Sequence, residues 1–280
     1  MHTVKATLEE LMASMDRIDA TVIMAHVLGV NRAWIAANPM RILTESEDAK
    51  IEMLAVQRAM GRPVAYLLER REFYGRDFAV GPDVLIPRPE TETLVEAALA
   101  RLAPHDTCLD LGTGCGAVAI TLACQRPEGR VVATDSSAAA LAVARRNASA
   151  HGCEGRVELL LGSWYEPVGA RRFDLIVSNP PYVAAGDPHL ARGDLRFEPQ
   201  RALTDGSRDG LDSIRAIVAG AGEHLKPGGW LLFEHGYDQA DAVRELLVSA
   251  GFGTLASISD LAGIPRVAGG KIGASTGETK

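Results

Sequence analysis

The sequence predicts an α/β protein: a seven-stranded, mainly parallel Rossmann-like sheet, preceded by a small helical unit and a connecting β-hairpin. Three observations carry this. From Thr107 onward, short apolar runs alternate with helical stretches, the pattern of a parallel sheet with helices on both faces. Before about residue 65 the apolar residues recur at helical spacing instead. Between these regions, two short β-prone runs flank a glycine.

The elements follow in order. Leu8, Leu11, Met12 and Met15 mark a first helix, and Ile23, Met24, Val27 and Leu28 a second that stops at Gly29. A third spans about Glu45 to Met60, ended by Gly61 and Pro63. Residues 1–70 thus form a helical domain with no evident chemistry of its own, read as a small scaffold or a cap that takes part in substrate recognition. Arg71–Tyr74 and Asp77–Val80 suggest a hairpin turning at Gly75-Arg76, within a linker over 71–84. A helix opening at Pro87–Glu92 begins the catalytic domain, residues 85–280; proline and early acids favour a helix start. Strands are expected at Cys108–Leu111, Arg130–Thr134, Val157–Leu161, Phe173–Val177, Trp230–Phe233 and about Thr254–Ile258, with a final edge near Arg266–Ala268. Helices fit at 117–126, 137–150, 209–225 and 238–250. Residues 269–280, rich in Gly, Ser and Thr, read as a flexible tail.

Composition narrows the function. With 280 residues, 47% hydrophobic and 23% charged, the chain can bury a core without metals or disulfides. Cys108, Cys115, Cys124 and Cys153 form no CxxC pair and stand near no histidine at metal spacing, so no metal is expected. The first ten residues lack a signal-peptide core, and no apolar run reaches the length of a membrane span. A cytoplasmic monomer without membrane partners is expected. The net charge of −7 argues against a broad nucleic-acid surface.

Leu109–Gly116 follows a strand and opens a helix. Gly112, Gly114 and Gly116 allow a tight turn and close approach of a ligand. The spacing is GxGxG, with Asp110 just before it, which lowers the odds of a pyrophosphate-binding GxGxxG loop. Asp135 ends the next strand, where an acid either accepts hydrogen bonds from ribose hydroxyls or caps the following helix. Trp164, just past the third strand, either lies against an adenine or packs in the core. Glycine loop, acid and aromatic together resemble the class I S-adenosylmethionine-dependent methyltransferase fold over about Thr107–Ala268. That resemblance implies seven strands with a terminal antiparallel hairpin.

Phe173–Tyr182 is the most informative segment: a buried strand ends in Asn179-Pro180-Pro181-Tyr182. Methyl transfer from a sulfonium needs an in-line nitrogen lone pair, which amides delocalise. If the Asn179 oxygen and the Pro180 carbonyl accept from a substrate NH2, they favour a less conjugated nitrogen and stabilise developing positive charge. Consecutive prolines keep that carbonyl rigid, and Tyr182 can pack on a flat substrate group. The bland alternative is a proline-rich strand exit with Asn179 capping a turn. His189 and His235 read as surface or packing residues.

The chain resembles the release-factor glutamine methyltransferase family, also called HemK or PrmC, over about residues 18–268. The resemblance rests on Asp19-Ala20, Ala25–Gly29, Pro63–Leu67, Arg71–Tyr74, Leu85–Glu92, Leu109–Gly116, Asn179–Tyr182, Arg196–Pro199, Asp209–Leu211 and Glu234–Gly236. It implies methylation of the side-chain amide nitrogen (N5) of the glutamine in the Gly-Gly-Gln loop of peptide chain release factors. It also implies S-adenosylmethionine contacts from Asp110, Gly112, Thr113, Gly114, Cys115, Gly116, Asp135, Trp164 and Asn179. Glutamine contacts are implied from Asn179, Pro180, Pro181 and Tyr182, with Asn179, Pro180 and Tyr182 catalytic. One departure stands at Leu68-Glu69, where family members usually place a glycine.

Two rivals remain at this stage. One is a nucleic-acid methyltransferase acting on the adenine NH2, against which the lack of a large basic insert argues. The other is a cofactor-binding module without catalysis, for which an intact Asn179–Tyr182 segment has no use.

Overall fold

The computed structural model describes residues 2–273, and the chain divides into two compact units. One gathers the chain up to Arg70 together with Arg192–Phe197. The other holds Arg71–Ala191 and the chain from Glu198 onward.

The helical unit contains α1 (Val4–Leu11), α2 (Arg17–Leu28), α3 (Arg32–Ala37), α4 (Glu45–Ala59) and α5 (Val64–Leu67). Thr3, Asp16, Asn31 and Thr44 accept N–H groups at the starts of α1 to α4, and Thr44 with Glu47 forms a full capping box. Periodicity indicates only three helices, because α3 and α5 have six and four residues, too few to display a repeat. Val4, Ala20, Met24, Ile35, Leu43 and Ile51 form the core. Arg58 binds Asp19 at 2.6 Å and Asp194 at 2.8 Å, and Arg196 donates to the Met60 carbonyl at 3.0 Å. These contacts hold the distant Arg192–Phe197 segment in the helical unit, and out of the contiguous catalytic domain expected over 85–280.

After α5 the chain turns at Glu69, whose φ of 55° is left-handed. That region costs an ordinary side chain roughly 1–2 kcal/mol, which explains the glycine expected there. Strands β1 (Arg70–Phe73) and β2 (Arg76–Ala79) then form a two-stranded sheet. Its turn is Tyr74-Gly75, with φ of 52° and 71°, and not Gly75-Arg76. Two-residue turns of this hand need positive φ at both positions, and Tyr74 takes the first while donating its N–H to Glu92. Nor is this stretch a free linker. Asn147 exchanges two hydrogen bonds with the Ala79 backbone, and His151 contacts the Asp77 carbonyl at 2.9 Å, so the hairpin belongs to the second unit.

That unit is built on β3 (Thr107–Leu111), β4 (Arg130–Asp135), β5 (Val157–Leu161), β6 (Phe173–Ser178), β7 (Leu225–Glu234), β8 (Phe252–Ser259) and β9 (Pro265–Ile272). The spatial order is β5-β4-β3-β6-β7-β9-β8; β3 to β7 run parallel and β9 is antiparallel to both neighbours. Strand order reverses between β3 and β6, and in such sheets ligands bind beyond the carboxyl ends at that point. The helices are α6 (Glu92–Leu99), α7 (Ala117–Gln125), α8 (Ala138–Ala150), α9 (Asp212–His224) and α10 (Ala240–Ser249). Leu109, Ile176, Leu231 and Phe233 pack against Ile214, Ile217 and Val218 of α9 and Val243 and Leu247 of α10. Each such side chain fully buried contributes about 1.5–3 kcal/mol.

The last strand corrects two expectations. Arg266–Ala268 is not an edge: β9 lies between β7 and β8, and β8 is the edge. Gly269–Ile272 is not a tail but the continuation of β9. Its glycines serve packing, since a Cβ on Gly269 would stand 2.1 Å from the Leu231 carbonyl oxygen. Only 274–280 of the expected tail lies outside the described residues. Among the described residues no helix is long and apolar enough to cross a membrane.

Candidate active site

A cleft of about 1070 Å³, counting its open mouth, lies at the carboxyl ends of β3, β4 and β6. Ligand sites commonly span roughly 300–1,000 Å³. Its wall brings together Asp110, Gly112, Thr113, Gly114, Cys115, Asp135, Trp164, Asn179 and Pro181. Gly116, Pro180 and Tyr182 do not line it.

The glycine loop is held from below. The Gly112 and Thr113 N–H groups both donate to the Thr134 carbonyl, at 2.9 and 3.0 Å. Gly112 and Gly114 adopt φ of 73° and 56°, conformations that glycine enters freely. Nothing stands within 4 Å of a Cβ placed on Gly114, so the loop presents open space there. Gly116 faces the other way: a Cβ would meet Ile120 at 2.6 Å and Ala144 at 3.3 Å, so it permits helix packing. Asp135 accepts the Gly114 N–H at 2.9 Å on one oxygen and the Ser137 N–H at 2.8 Å on the other. A carboxylate has about four acceptor positions, so Asp135 keeps capacity toward the cleft.

Asp110 is 2% exposed and accepts the Thr113 hydroxyl at 2.7 Å. Burial pushes its carboxyl up to about 7, and the nearby Asp135 charge pushes the same way. Trp164 lies across from the loop, its ring 3.5 Å from where a Gly112 Cβ would be, and its φ of 43° is left-handed. Such outliers cluster at ligand sites. Its ring also packs against the core, so both readings of this residue have a structural basis.

Asn179 and Tyr182 meet two residues that local pattern does not single out. The Asn179 Nδ2 donates to the Thr91 hydroxyl oxygen at 3.1 Å, and that hydroxyl donates to Glu234 Oε2 at 2.7 Å. The Tyr182 hydroxyl donates to Glu234 Oε1 at 2.9 Å. The bond to Thr91 spends the Asn179 Nδ2 and leaves Oδ1 as the other polar atom of a side chain on the cleft wall. Glu234, at the end of β7, is 1% exposed, and burial raises its carboxyl above the ordinary range. Burial, reinforced by Glu234, raises the Tyr182 hydroxyl as well, so it stays protonated as a donor. The lining also includes Asp83–Leu85, Pro87, Ser136, Ser137 and Arg201. Glu198 secures this wall, accepting the Ile86 N–H at 2.9 Å and pairing with Arg88. Thr91 and Glu234 do fall inside the segments that carry the family resemblance, the one signal that marks them.

The arrangement sets Asn179, its Nδ2 engaged by Thr91, on the wall of a glycine-lined cleft that also holds the carboxyls of Asp110 and Asp135. Residues 89–194 match the model "Methyltransferase small domain" and residues 1–68 the model "PrmC N-terminal domain". The release factor glutamine methyltransferase of Xylella fastidiosa (strain Temecula1) is 51% identical over 259 residues, covering 92% of this chain and 94% of that one. The protein of the same name from Bordetella pertussis is 51% identical over 270 residues, covering 94% and 98%. The crystal structure of a methyltransferase from Pyrococcus furiosus superposes with a TM-score of 0.56 at 19% identity, covering 78% of this chain and 97% of that one. This last likeness concerns the fold.

Proposed function

The chain belongs to the release factor glutamine methyltransferase family, and from that premise we propose that it methylates the N5 side-chain nitrogen of the glutamine in the Gly-Gly-Gln loop of peptide chain release factors. One observation carries the reading most directly: Asn179 and Pro181 line the same cleft as the glycine loop, Asp135 and Trp164. A methyl donor and a planar amide would share a single enclosure.

The cleft suits S-adenosylmethionine. Asp135 retains acceptor capacity for ribose hydroxyls, Trp164 offers a flat face for adenine, and the open space at Gly114 admits backbone approach. Asp110 places a carboxyl where a cationic ligand gains from it. When bound, S-adenosylmethionine supplies an electrophilic methyl on a positively charged sulfur.

The protein's part is orientation. Asn179 Oδ1, whose Nδ2 neighbour is engaged by Thr91, accepts one N–H of the glutamine side chain; the Pro180 carbonyl, which lies in the chain between the lining residues Asn179 and Pro181 without itself lining the cleft, is the acceptor for the other. Held so, the nitrogen rotates out of conjugation and its lone pair becomes available. The same two oxygens would stabilise the positive charge that nitrogen takes over as the methyl leaves sulfur, the S–C bond breaking as the N–C bond forms, with S-adenosylhomocysteine as the leaving group, before the nitrogen loses a proton to solvent. Tyr182, with its hydroxyl fixed on Glu234, keeps the Asn179–Tyr182 segment in place. The helical unit is assigned the recognition of the folded factor, because a glutamine side chain alone offers little to distinguish it.

The deciding experiment supplies labelled S-adenosylmethionine with a release factor, its Gln-to-Ala loop variant, DNA and RNA in turn. Label should enter the release factor only. Asn179→Ala should lower the single-turnover rate about 100- to 1000-fold, the usual loss for one preorganised polar contact. Label on nucleic acid, or on the Gln-to-Ala variant, overturns the proposal.

A further inference from the structure

Asn179 presents its oxygen to the cleft only because something decides which way its amide faces. The oxygen and NH2 of an amide are nearly equal in size, so shape does not choose between them. We propose that Glu234 and Thr91 are positioning residues which make that choice: the Glu234 carboxylate, acting through the Thr91 hydroxyl, fixes the Asn179 amide with Oδ1 toward the substrate. The proposal rests on the reading of Asn179 as the acceptor for the glutamine amide.

The direction of each hydrogen bond follows from the one before it. Burial works against the ionised form of Glu234, but the Thr91 and Tyr182 hydroxyls at its two oxygens work for it, and an ionised carboxylate can only accept. Glu234 Oε2 therefore takes the single hydrogen of Thr91, at 2.7 Å. With that hydrogen used, the Thr91 oxygen offers lone pairs alone, and the Asn179 atom facing it must be a donor. Nδ2 stands there, at 3.1 Å. A flipped amide would set Oδ1 against the Thr91 lone pairs, losing a hydrogen bond and adding a repulsion. It would also present an NH2 to a substrate that itself brings an NH2.

The three residues come from separate elements: Thr91 from the turn of 3-10 helix before α6, Asn179 from the exit of β6, and Glu234 from the end of β7. Glu234 and Thr91 are 1% and 4% exposed, and a buried carboxylate is costly to keep. Both Glu234 oxygens are engaged by hydroxyls, the second by Tyr182 at 2.9 Å. One carboxylate thus holds both ends of the Asn179–Tyr182 segment. The relay has an electronic consequence as well. Successive hydrogen bonds polarise one another, so negative charge at Glu234 strengthens Oδ1 as an acceptor while positive charge grows on the substrate nitrogen.

Four variants of the full-length protein test this, assayed by single-turnover methylation of a release factor at saturating S-adenosylmethionine and factor. Thr91→Val keeps the shape and removes the relay; its rate should fall about 10- to 100-fold, the scale of one lost buried polar partner, with cofactor affinity unchanged. Thr91→Ser restores the hydroxyl and should recover most of the rate. Glu234→Leu removes both acceptor oxygens at similar volume and should lose at least as much rate as Thr91→Val. Thr91→Val combined with Asn179→Ala should be no slower than Asn179→Ala alone, because the relay acts through Asn179. Wild-type rate in Thr91→Val, or equal losses in Thr91→Val and Thr91→Ser, overturns the relay. Failure of the underlying reading looks different: Asn179→Ala itself would then turn over normally.

Discussion

The Gly114 N–H donates to the Asp135 carboxylate across 2.9 Å, which makes the glycine loop after β3 and the acid ending β4 one hydrogen-bonded unit. Asp135→Ala should therefore weaken S-adenosylmethionine binding by on the order of 1–3 kcal/mol, through lost ribose contacts and a loosened loop. Asp135→Asn should recover little, since its NH2 would face the N–H of either Gly114 or Ser137. Titration calorimetry measures both, and unchanged affinity in Asp135→Ala would remove this residue from the site.

Asp110 should make cofactor binding depend on pH. Its carboxyl is pushed up to about 7 by burial in the free protein, and a cationic ligand favours the ionised form. Below neutrality, binding must expel a proton, so the dissociation constant should rise up to about tenfold per pH unit. Asp110→Asn should bind weakly with a flat profile. The same raised value bears on stability with a definite sign: its contribution is fully present below the unfolded carboxyl range near pH 4 and is lost as pH rises through about 7. Free Asp110→Asn protein should accordingly melt higher than wild type at pH 8. A wild-type affinity independent of pH from 5.5 to 8 would rule out the contact.

Glu69 occupies a left-handed conformation after α5. Glu69→Gly should stabilise the protein by about 0.5–1 kcal/mol, the relief of strain less the greater freedom of glycine in the unfolded chain. Glu69→Ala keeps the strain and should bring no such gain. Urea denaturation resolves the two, and a Glu69→Gly protein less stable than wild type would contradict the assignment.

Gly269→Ala should do the reverse. The added methyl would overlap the Leu231 carbonyl oxygen on the neighbouring strand, and overpacking of this kind costs about 1–3 kcal/mol or more. Residues in a loose tail would tolerate alanine without effect, so thermal melting separates the two descriptions cleanly.

What the sequence reveals here depends on how local the signal is. The β3 and β6 segments are legible because burial on both faces demands continuous apolar runs, and Asn179–Tyr182 because its composition is unusual for a strand exit. The placement of β9 between β7 and β8 leaves no such trace: pairing partners are chosen by the whole sheet, and glycines that permit close strand approach resemble the glycines of a loop. Tyr74 illustrates a smaller loss, since its positive φ shifts the hairpin turn by one residue against ordinary preference. Thr91 and Glu234, marked only by lying in segments that carry the family resemblance, have roles that stay hidden for a third reason. Each is a common residue on its own element, and their roles exist only once separate elements converge on Asn179.

The split membership of the helical unit bears on how this architecture can be recombined. Arg58 is shared between Asp19 in the leading segment and Asp194 in the returning one. A chimera that exchanges only the first 70 residues with a distant relative would pair a foreign helix with the native Asp194 and Arg196, leaving charges unmatched. Grafting both segments together preserves the ion pairs. Moving this region as a unit thus requires both segments to travel together, because one guanidinium serves the leading helices and the Arg192–Phe197 segment alike.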